Sequence, residues 1–253
     1  MTRWPAAVIP AYRAAPTVGR VVRATLPLVE DVVVVDDGSD DTTAEVAAEA
    51  GARVLRHSKN LGKGRALRTG FDDLFGRGHE RVITLDADGQ HLPGEIPNLA
   101  RAAAGAHLVV GSRDHLFAEM SVVRRLSNRW STTLIAAVAG LSLSDVQSGF
   151  RVYARELIET VGFPEPRFEA ESAVIVRAAR LGFVVCESPV RLGFADGRTT
   201  SHYRPVIDSL RIAAAVTRAR LETAGWEPER SSRPDRGATK LAGMQRRPNA
   251  TRG

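Results

Sequence analysis

Asp86-Ala87-Asp88-Gly89-Gln90-His91 is the stretch whose residue types and spacing suit chemistry best. It follows Arg81-Val82-Ile83-Thr84-Leu85, an apolar run that predicts a buried strand. Extended chain has a side-chain period of two, so Asp86, Asp88 and Gln90 project to one side of the strand end. Together they offer three oxygen donors, two of them anionic, to one hard divalent cation such as Mg²⁺ or Mn²⁺. A cation held there with positions to spare suits a diphosphate leaving group. The same residues would also make an ordinary polar turn with helix-capping aspartates.

Other groups stand at comparable places. Val32-Val33-Val34-Val35 runs into Asp36-Asp37-Gly38-Ser39-Asp40-Asp41. An acid at a strand end accepts hydrogen bonds from ribose or base, which suits Asp37, whereas Asp40 and Asp41 suit capping of the next helix. Asn60-Leu61-Gly62-Lys63-Gly64 opens a helix but is neither a P-loop nor a dinucleotide fingerprint, since Leu67 sits where a third glycine belongs. It is either an anion-approaching helix start or a tight loop chosen for backbone shape. Asp145-Val146-Gln147-Ser148-Gly149-Phe150-Arg151 sets an acid and an arginine beside a flexible point. Phe168-Glu169-Ala170-Glu171 puts two acids at a helix start, where the dipole alone would favour them.

The elements that must position these groups alternate. Strands are expected at Ala6–Pro10, Asp31–Val35, Arg53–Arg56, Arg81–Leu85 and His107–Gly111. Helices are expected at Thr17–Leu28, Thr42–Ala50, Gly64–Phe75 and Gly94–Ala104. This order predicts an α/β fold with a mainly parallel sheet covered by helices on both faces and ligands beyond the strands' carboxyl ends. The second half is less regular, with helices at Val122–Ala139, Glu169–Leu181 and Arg204–Glu222 and strands at Gly149–Tyr153 and Val184–Leu192.

With 253 residues and 43% hydrophobic composition, the chain suffices for one large domain over residues 1–225. Residues 226–253 are Arg-, Pro- and Gly-rich and are expected to be disordered. The single Cys186 excludes an internal disulfide and a Cys-rich metal site. The net charge of +6, mostly arginine, suits anionic lipid or a phosphorylated substrate, and no basic–aromatic interleaving points to nucleic acid. Met1–Pro5 runs at once into a strand, so no signal peptide is expected; Thr132–Leu143 is well short of the roughly 20 residues that span a bilayer.

Taken in order, these pieces resemble a family 2 glycosyltransferase of the dolichyl- or polyprenyl-phosphate mannosyltransferase type. The matching segments are Ile9–Tyr12, Val35–Ser39, Asn60–Gly64, Asp86–His91, Gly111–Arg113, Arg124–Ser127, Asp145–Arg151 and Phe168–Glu171, spread over about residues 6–205. The resemblance implies a GT-A (Rossmann-like) fold, a nucleotide-sugar donor, Mg²⁺ or Mn²⁺, and inversion at the anomeric carbon. It places the nucleoside at Pro10, Tyr12, Val35 and Asp37, the diphosphate and sugar at Asp86, Ala87 and Asp88, and the metal at Asp86, Asp88 and Gln90. Arg113, Arg124, Arg125, Ser127 and Arg151 would receive the acceptor phosphate; Asp88, Arg113, Arg125 and Asp145 would be the catalytic groups. Ala14 stands where the family often has a glutamate, and Gly197–His202 fits its R-x-x-G-x-S-K loop only in part.

A hydroxyl acceptor needs a general base, for which Asp145 is available. A lipid phosphate arrives as an anion and needs only cationic guidance, which arginines suit. The expected reaction is therefore transfer of a hexose, mannose first, from GDP-mannose to a polyprenyl phosphate. The alternative is a UDP-glucose-dependent enzyme acting on a lipid phosphate or a hydroxyl. Arg204–Glu222 carries Ile207, Leu210, Ala214, Thr217 and Leu221 along one face and Arg204, Arg211 and Arg218 along another. That pattern suits either packing on the core or contact with an anionic membrane, on the cytoplasmic face.

Overall fold

The computed structural model describes residues 5–113, 132–191 and 205–224. Its strands are β1 (Ala6–Ala11), β2 (Val32–Asp36), β3 (Arg53–Arg56), β4 (Arg81–Thr84), β5 (Leu108–Ser112), β6 (Arg151–Ala154) and β7 (Val185–Pro189). Its helices are α1 (Ala15–Thr25), α2 (Thr43–Glu49), α3 (Lys63–Gly76), α4 (Ile96–Ala102), α5 (132–139), α6 (Arg155–Val161), α7 (Glu169–Arg180) and α8 (Pro205–Glu222). The seven strands form one sheet in the order β3-β2-β1-β4-β6-β5-β7. All pairings are parallel except those of β6, which runs antiparallel between β4 and β5. The expected α/β architecture holds, with one reversed strand in the middle of the sheet.

The continuous valine run of β2 is explained by burial on both faces. Val33 and Val35 point with Ala6 and Val8 into a core completed by Leu67 and Phe71 of α3, Leu157 of α6, Val174 of α7 and Ile212 of α8. Val32 and Val34 point with Ala7 and Ile9 into the opposite core, against Val18 and Val22 of α1 and Ile96 and Leu99 of α4. Phe71 sits at the centre of the first core, 5.0 Å from the Tyr153 ring and 5.3 Å from Phe163, edge-on to the latter.

The element boundaries differ from the expected ones for local reasons. The first helix ends at Thr25 and continues as a 3₁₀ turn over Leu26–Leu28, because Pro27 lacks the N–H that another α turn needs. The helix expected at Gly94–Ala104 is α only from Ile96 to Ala102, flanked by 3₁₀ turns. Helix α6 was not expected; it follows β6 directly and stops at Gly162 (φ 67°). Of the helix expected over Val122–Ala139, residues 132–139 are helical and the rest lie outside the described residues, as does the tail after 224.

Helix α8 packs on the core through Asp208, Ile212, Ala215, Val216 and Ala219. Buried Arg177 of α7 holds its end, bonding both Glu222 at 3.0 Å and buried Glu165. The other face carries Leu210 and Leu221, each 68% exposed.

Candidate active site

A cleft of about 580 Å³ opens beyond the carboxyl ends of β1, β2 and β4, where a parallel sheet presents its ligand sites. Its walls are Pro10 to Ala14 after β1, Asp37 after β2, Asn60, Gly62 and Lys63 at the start of α3, and Asp86 to Asp88 after β4. Arg167 and Phe168 from before α7, with Asp208 and Arg211 of α8, complete it. Pro10, Tyr12, Asp37, Asp86, Ala87 and Asp88 therefore share one cavity. Val35 does not belong to it: its side chain is 0% exposed in the core, and its register partner Pro10 forms the wall instead.

Three charges meet at the floor. Lys63 Nζ lies 2.7 Å from Asp86 Oδ1 and 2.9 Å from Glu171 Oε2, joining the α3, β4 and α7 ends. Burial would lower the Lys63 pKa, but the charges of Asp86 and Glu171 hold it well above the ordinary lysine range. Against its own burial, Asp86 is kept well below the usual carboxylate range, chiefly by Lys63. Gly149 covers the pair closely, since a Cβ there would sit 2.6 Å from Lys63 Nζ and 3.0 Å from both Asp86 oxygens. Thr84 fixes that turn by donating from Oγ1 to the Gly149 carbonyl at 2.7 Å.

His91 supports the loop from behind. Its Nδ1 accepts the Asp86 N–H at 3.0 Å, so a neutral ring carries its hydrogen on Nε2, 3.8 Å from Asp86 Oδ2. The ring stacks on Phe150 and is 3% exposed, and burial depresses its pKa to about 4. Asp88 Oδ1 accepts the Gln90 N–H at 2.9 Å. Burial, then the neighbouring Asp86 charge, raises the Asp88 carboxyl above its ordinary value.

These residues fit a divalent cation in a particular way. Among the described residues no three His, Cys, Asp or Glu side chains converge into a cage. Asp86 and Asp88 instead supply two neighbouring carboxylates whose repulsion a cation would relieve, leaving other positions for phosphate oxygens, the usual arrangement for Mg²⁺. Glu171 Oε1, on the carboxylate whose other oxygen holds Lys63, is buried without a hydrogen-bond partner.

Asp37 anchors the loop over residues 57–62. It accepts N–H bonds from Leu61 (2.8 Å) and Gly62 (2.7 Å) and faces His57 Nδ1 at 2.7 Å. Gly62 has φ 102°, and a Cβ would lie 2.5 Å from the Pro166 carbonyl, so the glycines of this loop serve backbone shape and close packing on the chain before α7. Arg13, at φ 52°, turns the β1 end over, its N–H donating to Ser39 Oγ and its guanidinium gripping exposed Asp40.

On the far side of the Asp86 loop, Arg113 Nε donates to Asp145 Oδ2 at 2.7 Å and its main-chain N–H donates to the same oxygen at 3.2 Å. Burial opposes the Arg113 charge, but Asp145 holds its pKa above the usual value; the same charge acts on Asp86 and Asp88 and so stands beside the site. Asp145 is 0% exposed and also accepts the Gln147 N–H, which makes it the counter-ion that positions Arg113 and a poor general base.

Arg151 is likewise corrected. It is 0% exposed, and its guanidinium donates to the carbonyls of Ser148, Val146 and Glu171, tying the Gly149 turn to α7 where no acceptor reaches. Arg124, Arg125 and Ser127 lie outside the described residues, as does Gly197–His202. Sequence reasoning named Lys63 and Glu171 only as an anion-approaching lysine and a helix-start acid, and missed His57 and His91 as supports. It also missed Asp208 and Arg211 as part of the cleft. Only the loop's lysine and the paired acids signalled their roles, because the rest depend on long-range contacts.

The fold and this cleft are those of an α/β protein with its ligand site beyond the carboxyl ends of a parallel sheet, and comparison with known proteins makes the class specific. Residues 6–162 match the model of glycosyl transferase family 2, and the chain belongs to that family; it is a glycosyltransferase. It is 31% identical over 185 residues to undecaprenyl-phosphate mannosyltransferase of Micrococcus luteus, covering 69% of this chain and 75% of the relative. It is 32% identical over 189 residues to polyprenol monophosphomannose synthase of Mycolicibacterium smegmatis, covering 68% and 69%. Among solved structures it is similar to glucosyl-3-phosphoglycerate synthase from Mycobacterium tuberculosis in complex with Mn²⁺, UDP-glucose and phosphoglyceric acid. That likeness has a TM-score of 0.64 at 22% identity over 87% of this chain and 80% of the other, which is a likeness of fold. Among the described residues no helix is long and apolar enough to cross a membrane.

Proposed function

We propose that this protein transfers a hexose from a UDP-linked sugar to a polyprenyl phosphate at a membrane surface, with inversion at the anomeric carbon. The observation that carries the reading is the pairing of Arg113 with Asp145. The acid best placed to act as a base is occupied by an arginine, so the site suits an acceptor that brings its own negative charge. A phosphomonoester does so, with a second pKa near 6. The relatives in Micrococcus and Mycolicibacterium carry polyprenyl-phosphate names, which supports the acceptor class. The UDP and UDP-glucose complexes of the similarly folded synthase support the donor.

In this reading Asp86 and Asp88, with Gln90 beside them, hold Mg²⁺ or Mn²⁺, which supplies charge neutralisation for the departing diphosphate. Tyr12, Pro10 and Asp37 receive the nucleoside. Lys63 and Glu171 fix Asp86 in place. Arg113, with Arg124, Arg125 and Ser127, guides the lipid phosphate. A phosphate oxygen forms the new bond to the anomeric carbon as the bond to the nucleoside diphosphate breaks. Exposed Leu210, Ala214 and Leu221 on α8, flanked by Arg211 and Arg218, supply the lipid-facing surface, and Arg211 lines the cleft as well.

A second reading, transfer to a small phosphorylated acid, is favoured by one observation: the similarly folded synthase is captured with phosphoglyceric acid beside UDP-glucose and Mn²⁺. The deciding experiment supplies labelled UDP-glucose or GDP-mannose with a short polyprenyl phosphate or 3-phosphoglycerate, in Mn²⁺ or EDTA. Metal-dependent, lipid-extractable label from UDP-glucose is the expected result. Label on phosphoglycerate alone would select the second reading, label from GDP-mannose alone would restore the mannosyl donor, and no turnover of either donor would overturn both readings.

A further inference from the structure

Asp37 has little hydrogen-bonding capacity left. A carboxylate offers about four lone-pair sites, two on each oxygen. Oδ1 receives the Leu61 N–H at 2.8 Å and the His57 ring at 2.7 Å, while Oδ2 receives the Gly62 N–H at 2.7 Å. A carboxylate only accepts, so the hydrogen in the ring contact is on His57 Nδ1. The ring is held from behind, with Nε2 3.0 Å from Thr69 Oγ1 on α3, and the His57 N–H donates to the Asp36 carbonyl at 2.9 Å. Both side chains are buried, 11% and 4% exposed, yet Asp37 still forms part of the cleft wall.

One acceptor site therefore remains, on Oδ2. Uracil presents one N–H between two carbonyls, which a single acceptor matches. Guanine presents N1–H and N2–H side by side, a fork that needs both oxygens of one carboxylate. Asn60, farther along the same wall, carries an amide donor for a flanking carbonyl. We propose that His57 sets the base preference of the donor site: by filling Oδ1 of Asp37 it selects a base with a single N–H, the uracil type, over guanine. His57 is then a specificity residue that acts through Asp37 and touches no reacting atom. The inference rests on Asp37 facing the base, as in the function proposed above.

The test is calorimetric titration of the full chain with UDP and with GDP, in Mn²⁺. One hydrogen bond to a charged group sets the scale, so wild type should bind UDP about 10- to 100-fold more tightly than GDP. His57→Leu should cut that ratio by about tenfold or more, mainly through tighter GDP binding, and His57→Asn, which keeps an N–H donor, should retain it. General destabilisation would weaken both nucleotides together and leave the ratio where it was. If His57→Leu does not fold, Thr69→Val releases the ring from behind and should move the ratio the same way by less. A wild type that prefers GDP, or a ratio unmoved in the folded variants, overturns the inference while the donor cleft stands. Binding of neither nucleotide by wild type would overturn the donor-cleft reading, and this inference with it.

Discussion

Lys63 and Asp86, one opening a helix and the other closing a strand, meet at 2.7 Å beneath Gly149, and Glu171 completes the cluster from a third element. The contact gives the Asn60–Gly64 loop a specific task, placing an ammonium against the acid that faces the cleft. All three side chains are largely shielded, at 15%, 32% and 7% exposure, so the cluster is held by charges that cannot separate into water cheaply.

Lys63→Met should therefore leave Asp86 and Glu171 without the ammonium that lies between them. Breaking a buried pair from one side typically costs about 3 kcal/mol, and the partial exposure of Asp86 brings the expectation to about 2 kcal/mol. Urea denaturation with EDTA present reads this out. Adding Glu171→Gln should recover part of the loss, because removing one of two facing acids relieves the repulsion that the first change creates. Strictly additive losses would mean that the three groups do not act as a unit.

His91 makes stability depend on pH in a defined window. Its pKa is about 4 in the folded protein, against about 6.5 for an unperturbed histidine. Between those values the unfolded chain binds more protons than the folded one, so stability rises with pH across the window and is lost as pH falls through it. The full effect approaches about 3 kcal/mol. Asp86, also depressed, loses its contribution only at lower pH, below the ordinary carboxylate value, so the two effects separate. Unfolding curves from pH 7 to pH 4 should be flatter for His91→Gln than for wild type. Equal slopes would show that the ring is accessible to protons in the folded state.

Arg151 tests how far sequence can mislead at a real motif. As a surface acceptor group, it would be expected to tolerate lysine in stability but not in acceptor KM. Its guanidinium instead satisfies three main-chain carbonyls inside the protein, which a lysine ammonium cannot span. Arg151→Lys should lower stability by about 2–3 kcal/mol and leave acceptor KM unchanged in the folded fraction. A raised KM at unchanged stability would return Arg151 to the acceptor site.

Much of the wall of the cleft was legible because it depends on local pattern. Val32–Val35 and Arg81–Thr84 announce buried strands, and the acids that follow them fall at strand ends whatever the rest of the chain does. The parallel order of β1, β2 and β4 then brings Asp37 and Asp86 to one edge. Reversal of β6 was not legible, since Gly149–Tyr153 reads the same in either direction and the long connection before it fixes no hand. The roles of His57, Asp145 and Arg151 were not legible either, because each is set by a partner in another element. Residues such as Arg151 and Asp145 look like chemistry in sequence and prove to be the internal bracing of it.

The outer face of α8 yields the remaining prediction. The face expected either to pack on the core or to meet a membrane, marked by Leu210, Ala214, Thr217 and Leu221, does not pack: the helix uses another face for the core and leaves this one in solvent. Ile212, Ala215, Val216 and Ala219 are buried, whereas Leu210 and Leu221 are 68% exposed and Ala214 lies between them. Arg211, Arg218 and Arg220 are exposed on the same helix. Burying an exposed leucine in an apolar medium is worth about 1.5–3 kcal/mol, and each arginine near an anionic surface about 1 kcal/mol. Leu210→Glu with Leu221→Glu should therefore lower affinity for vesicles containing anionic phospholipid by at least about tenfold, while thermal stability stays near wild type because neither side chain is packed. Affinity of the wild type should fall steeply with salt, and transfer to a water-soluble acceptor analogue should be unaffected by the two changes. If vesicle binding survives the double change but disappears on removal of residues 226–253, the basic tail carries the contact and the α8 face has another use.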